Sequence, residues 1–214
     1  MSKVEAVIFD MDGVIVDSEA RHEQAFLEVV EEIGYADRLE MEVRNYTGRS
    51  DREMWHDFVA VHRPPHSAEE LLAMKRGRVL ALIRAERPLF DGVPELVARL
   101  ADRYPLAVAS GSERLVVEEV LSLQGLGRFF STVVADNEAP RGKPAPDIFL
   151  RAAELLGMPP DRCCVIEDSR PGVAAALAAG MPVIAITNSH PAAELAAATW
   201  VVETYREIDR LLLG

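Results

Sequence analysis

Cysteine is nearly absent from this chain: two in 214 residues, and those two are neighbours, Cys163 and Cys164. Adjacent strand positions point to opposite faces, so the pair suits neither an ordinary disulfide nor a zinc site and reads as two small core residues. A chain without disulfides is compatible with a reducing compartment. No apolar run approaches the ~20 residues that a bilayer-spanning helix needs. The opening Met1-Ser2-Lys3-Val4-Glu5-Ala6 lacks a cleavable signal pattern, so the expectation is a cytoplasmic protein. Basic residues are scarce, with 23 Lys and Arg against 35 Asp and Glu and a formal net charge of −12. Such a field repels phosphate backbones and anionic lipid, which argues against nucleic acid and membrane surfaces as partners. It leaves room for a small anion in a local basic pocket. Neither G-x-x-x-x-G-K-[ST] nor a post-strand G-x-G-x-x-G occurs, and there is no internal repeat or low-complexity tract.

What is present is globular. The length fits one domain, or one domain with a modest insertion, and a chain of this size buries roughly 70% of its unfolded surface without a covalent staple. Short apolar runs at residues 4–9, 106–109, 132–135, 163–166 and 183–186 read as strands, with a short sixth at 200–202. Helical spacing separates them at 94–103, 115–123, 146–156 and 173–179, and a last helix is expected at 205–213. Strand–helix alternation with fully apolar strands predicts a parallel sheet covered on both faces. Between residues 18 and 87 the texture differs. Three amphipathic patterns, carried by Phe26, Val29 and Val30, by Met54, Trp55 and Phe58, and by Leu71, Leu72 and Ile83, predict an all-helical insertion. One doubtful strand falls at 41–46.

The strand ends are polar. The first ends in Asp10-Met11-Asp12-Gly13, the second in Ser110-Gly111-Ser112 and the fourth in Glu167-Asp168-Ser169; Arg141-Gly142-Lys143-Pro144 follows the third. In an open parallel sheet, ligands bind at the carboxyl ends of the strands near a topological switch point. Four carboxylates on one rim repel each other unless a cation sits among them, and oxygen-only donors select a hard ion, Mg²⁺. Lys143 would neutralise an anion, and Ser110 with nearby backbone N–H groups would hold its oxygens. Asp10 and Asp12 suggest divided labour, one attacking phosphorus and the other moving the proton.

The segments Phe9-Asp10-Met11-Asp12-Gly13-Val14, Ala109-Ser110-Gly111-Ser112, Gly142-Lys143-Pro144-Ala145-Pro146-Asp147 and Ile166-Glu167-Asp168-Ser169 together resemble the haloacid dehalogenase-like hydrolase superfamily. The resemblance is to members with a helical cap inserted after the first motif, and it covers essentially the whole chain. It implies an α/β fold, a Rossmann-like parallel sheet with helices on both faces, formed by residues 1–15 and 88–214, with an inserted all-helical cap at 16–87. It further implies Asp10 as nucleophile, Asp12 as general acid/base, and Ser110 and Lys143 as phosphoryl ligands. Asp10, the backbone carbonyl of Asp12, and Asp168 would bind Mg²⁺, with Glu167 supporting directly or through water. Family dehalogenases lack an acid at the position of Asp12, so phosphoryl transfer is expected.

Sugar-phosphate phosphatases and β-phosphoglucomutases share this motif set. His22 stands where the mutases place a cap histidine. Thr47 and Asp51 stand where they carry a lysine and an arginine, and Glu113 where they often carry a lysine, although Arg114 could substitute. The loss of those cations favours a phosphatase of a small phosphorylated metabolite, acting as a monomer, over a phosphomutase. A binder that has given up catalysis would usually have lost Asp10 or Asp12, and both are present. Arg49, Gly111, Ser112 and Arg114 join His22 as expected substrate contacts. Lys75-Arg76 reads as a solvated helix face, with substrate contact as the alternative, and His56, His62, His66 and His190 carry no pattern.

Overall fold

The computed structural model describes residues 4–39 and 50–214. The doubtful strand at 41–46 and the substrate contact expected at Arg49 lie outside those residues. A six-stranded, all-parallel sheet runs in the order β3-β2-β1-β4-β5-β6. Its strands are β1 (Ala6–Phe9), β2 (Leu106–Ala109), β3 (Phe130–Val134), β4 (Cys163–Glu167), β5 (Val183–Ile186) and β6 (Trp200–Val202). β1 therefore lies inside the sheet, paired with β2 on one side and β4 on the other.

Period-2 alternation sorts the strand residues into two cores. Val7, Phe9, Leu106, Val108, Cys164, Ile166, Ile184 and Ile186 face one layer. That layer is built from α4 (Val93–Ala101), α5 (Arg114–Ser122) and α8 (Tyr205–Leu213). Ala6, Ile8, Ala107, Ala109, Cys163, Val165, Val183 and Ala185 face α6 (Asp147–Leu156) and α7 (Arg170–Ala178). The second face is small: alanines and a cysteine meet Ala152, Ala153, Ala175 and Ala176, which lets those helices sit close. The two cysteines fall in different cores, as adjacent strand positions require, and both are free thiols. Burial pushes Cys163 up to about 11 and Cys164 up to about 12, so both stay protonated and inert.

Between β1 and α4 stand α1 (Glu19–Glu32), α2 (Asp51–His62) and α3 (Ala68–Glu86). They enclose a third core in which Phe26 packs on Trp55 and Phe58, with Leu71 and Leu72 beside them. The foot of this helical unit is rooted in the sheet domain, since Ala25, Val79 and Ile83 belong to the first sheet core. No helix among the described residues is long and apolar enough to cross a membrane.

Candidate active site

The order β3-β2-β1-β4-β5-β6 reverses direction between β1 and β4, and a crevice is expected outside their carboxyl ends. Asp10 follows β1 directly, Ser110 follows β2, Glu167 is the last residue of β4, and Asp168 comes next. Lys143 arrives from the loop between β3 and α6.

These side chains divide into two clusters. In the first, Lys143 Nζ lies 2.7 Å from Asp10 Oδ1 and donates to Glu167 Oε1 at 2.7 Å. The other Glu167 oxygen accepts from the backbone N–H groups of Asp168 and Ser169, both at 2.7 Å, and from Ser169 Oγ at 2.9 Å. Ser169 in turn caps α7 by accepting from the Gly172 N–H at 3.1 Å. Two glycines make this packing possible. Gly13 sits at φ +74°, and a Cβ there would stand 1.8 Å from Asp168 Oδ2. A Cβ on Gly172 would stand 1.6 Å from Glu167 Oε1.

Oxygens of Asp10, Glu167 and Asp168 all lie within 4.8 Å of one another. Burial pushes Asp10 up to about 8, with Lys143 pulling the other way and the Glu167 and Asp12 carboxylates adding to the rise. Burial also raises Asp168, reinforced by Glu167 and Asp10, and its Oδ2 is buried with no hydrogen-bond partner. Carboxylates that resist ionising together and leave an oxygen orphaned fit a hard divalent cation, which would relieve both penalties. Both Glu167 oxygens already carry protein donors, so Asp10 and Asp168 offer the open lone pairs. Lys143 is raised: burial opposes its charge, but Asp10 and Glu167 outweigh it.

The second cluster surrounds Asp12. Its Oδ2 accepts from Ser112 Oγ at 2.7 Å and Ser110 Oγ at 3.2 Å; its Oδ1 accepts from Ser18 Oγ at 2.5 Å. His22 Nε2, from α1, lies 3.3 Å from the same Oδ1. Burial works against the Asp12 charge, yet His22, Ser18 and Ser112 hold the group at about 2. Burial and Lys75 also oppose charge on His22, and Asp51 with Asp12 outweighs them, lifting it to about 9.

Beyond His22 the solvated face expected at Lys75-Arg76 is corrected. Lys75 is 1% exposed, bonded to Asp51 Oδ1 and 3.0 Å from His22 Nδ1. Arg76 reaches across to Glu113 at 2.6 Å. The spacing of α3 placed both on one polar strip, and only the tertiary fold shows that this strip turns inward. Of the expected substrate contacts, the structure brings His22, Gly111 and Ser112 to the loops around Asp12. Arg114 is turned to Glu138 and to the Val133 carbonyl, 2.9 Å away. Sequence reasoning missed Ser18, Lys75, Ser169 and Gly172. It also missed His190, whose Nδ1 is 3.2 Å from the Asp168 carbonyl. Asn188 donates to the Gly13 carbonyl at 2.7 Å and Tyr205 to that of Val14 at 2.7 Å, so both brace the turn after β1.

A doubly wound sheet with two acidic loops and a buried lysine at its switch point, overhung by a helical insertion, defines a capped α/β hydrolase. The chain belongs to the haloacid dehalogenase-like hydrolase family, whose model matches residues 4–180. It is 34% identical over 185 residues to the fructose-1-phosphate phosphatase YqaB of Escherichia coli K12, covering 83% of this chain and 94% of that protein. It is 32% identical to hexitol phosphatase B of the same organism, over 85% of this chain and 82% of that one. Among solved structures, CbbY of Rhodobacter sphaeroides in complex with xylulose-(1,5)bisphosphate superimposes with a TM-score of 0.84 at 26% identity, covering 95% and 96% of the two chains. A β-phosphoglucomutase of Clostridium difficile shares the fold, with a TM-score of 0.82 at 22% identity over 96% of this chain and 93% of that one.

Proposed function

We propose that this phosphoric monoester hydrolase is a Mg²⁺-dependent phosphatase of a small sugar phosphate, acting through an aspartyl-phosphate on Asp10. One observation carries the reading. Two aspartates two residues apart, Asp10 buried and Asp12 partly buried, occupy opposite environments, Asp10 among Lys143 and the acidic pair, Asp12 among hydroxyls and His22. That separation supports attack by the first and proton transfer by the second. The relatives named as fructose-1-phosphate and hexitol phosphatases support the substrate class.

An Asp10 oxygen attacks phosphorus as the bond to the ester oxygen breaks. Lys143 and Ser110 hold the phosphoryl oxygens, with the Gly111-Ser112 loop against them. Held at about 2 in the free protein, Asp12 is raised by the incoming phosphoryl anion, which takes over its serine donors and adds like charge. Raised in this way it takes up a proton from solvent, and it delivers that proton to the leaving oxygen. In the second half Asp12 takes a proton from water as that water attacks the phosphorylated Asp10, releasing phosphate and restoring the carboxylate. Mg²⁺, held by Asp10, Asp168 and the Asp12 carbonyl, would supply charge neutralisation at the phosphoryl oxygens. Glu167 serves this centre by fixing Lys143 and the turn into α7. The enzyme in this reading is a cytoplasmic monomer with a sheet domain at 1–15 and 88–214 and a cap at 16–87.

The test is phosphate release across a panel of sugar phosphates by purified protein with Mg²⁺. EDTA and Asp10→Asn should each abolish it, and turnover surviving either rejects the mechanism. A phosphomutase would instead convert β-glucose 1-phosphate, primed with a bisphosphate, to glucose 6-phosphate faster than phosphate appears. That alternative needs a cap cation to grip a second phosphate, and Lys75 is already matched by Asp51.

A further inference from the structure

The cap side of the site holds a charge pair that the reaction above does not use. Lys75, on α3, is 1% exposed. An ammonium this deep persists only where its charge is matched, and Asp51 at the start of α2 matches it. The second Asp51 oxygen lies 3.4 Å from His22 Nδ1, and His22 Nε2 is 3.3 Å from Asp12. Asp51, half-buried, keeps 22% of its side chain accessible. His22 thus bridges Asp12 and Asp51, which sets this wall one imidazole away from the carboxylate that the proposed reaction gives to the leaving oxygen. The other described arginines that reach from the cap to the sheet domain are matched as well, Arg52 by Asp136, Arg76 by Glu113 and Arg84 by Glu119.

We propose that Asp51 is a specificity-determining residue. By quenching Lys75 and presenting its own carboxylate beside His22, it selects phosphate esters whose leaving group is uncharged and rich in hydroxyls. It rejects esters that carry a second anion. A hydroxyl can donate to the Asp51 carboxylate, whereas a second phosphate or carboxylate meets like charge there and, among the described residues of this wall, no cation left unmatched to offset its desolvation. The inference rests on the phosphatase reading and narrows it. Xylulose-(1,5)bisphosphate, the ligand in the CbbY complex, belongs to the rejected class, so the two proteins should differ.

The full-length protein with Mg²⁺ is assayed for kcat/KM on fructose 1-phosphate and glycerol 1-phosphate, and on fructose 1,6-bisphosphate and phosphoglycolate. The wild type should favour the first pair by about tenfold or more, and Asp51→Asn should erase about that factor through faster turnover of the second pair. Lys75→Met, leaving Asp51 uncompensated, should move the ratio the opposite way, and the double variant should fall between. Loss of fold would instead lower both pairs together. A wild type indifferent to the second anion, or a ratio unmoved in Asp51→Asn while neutral esters turn over, overturns the inference and leaves the phosphatase standing. Failure to hydrolyse any of the four esters overturns both.

Discussion

Glu167 carries no catalytic step in the proposed reaction, yet its environment is the most tightly specified in the site. Its two oxygens take one lysine, two backbone N–H groups and a hydroxyl. The space they occupy exists because residue 172 has no Cβ. Gly172→Ala must therefore push the carboxylate off Lys143 or move α7. Overpacking of this kind costs about 1–3 kcal/mol, to be read from chemical denaturation. In the proposed reaction, displacing Lys143 should lower phosphate release by about a hundredfold, since misplacement near 1 Å can cost that much. Activity within threefold of wild type would mean that Lys143 is held by Asp10 alone. Sequence gave no sign of this glycine, because its partner lies five residues away across a turn whose shape the pattern of residue types does not report. Asp10, Ser110, Lys143 and Asp168 were legible, because apolar strands that stop at polar residues mark the rim of a parallel sheet whatever the details of packing.

At the level of elements, periodicity located the six strands and five α-helices described in the sheet domain, with shifts at the ends, and passed over the 3-10 turns such as Leu123–Phe129. β3 begins at Phe130 and ends at Val134, two residues and one residue before the expected bounds; α7 starts at Arg170 because Ser169 caps it, with a proline in its first turn. What periodicity could not report is which polar strip of a cap helix turns inward. On α3 the strip bearing Lys75 and Arg76 meets α2 and the loop before α5, and that choice is made by long-range pairing. The start of α3, by contrast, is written locally. Ser67 accepts from the Glu70 N–H at 3.2 Å, and Glu70 accepts back from the Ser67 N–H at 2.8 Å, a reciprocal cap. Ser67→Ala should lower the thermal midpoint by about 2–4 °C. The Ser67 bonds hold Glu70 below its ordinary 4.5, so its contribution is present above that pH and is lost as pH falls through the lowered value. The gap between wild type and Ser67→Ala should therefore narrow in acid. A gap that widened in acid would mean the serine acts through something other than this cap.

Across the whole molecule, the helical unit is joined to the sheet domain in two physically different ways. At its foot, Ala25, Val79 and Ile83 share the first sheet core, an apolar attachment that salt does not weaken. Above the foot the two units meet through ion pairs, Arg76 with Glu113 at 2.6 Å and Arg52 with Asp136 at 3.3 Å, while Arg84, next to Ile83 on α3, pairs with Glu119 at 2.6 Å at the level of the foot itself. The Arg76 and Arg52 pairs must part if the upper cap swings away to admit substrate, while the foot can act as the pivot. The partly exposed Arg76–Glu113 pair is worth about 0.2–1 kcal/mol, and added salt shortens its reach to less than ~10 Å. Closure over the substrate should thus weaken as ionic strength rises, and kcat/KM for a sugar phosphate should fall with it. Salt also screens the phosphate itself, so the decisive measurement is a difference. Arg76→Gln should lower kcat/KM by up to about fivefold in dilute buffer, and by less at 0.5 M KCl, where the pair is screened in the wild type too. If the ratio of the two enzymes stays constant from low salt to high, the pair adds nothing to closure and the cap is held by its apolar foot alone.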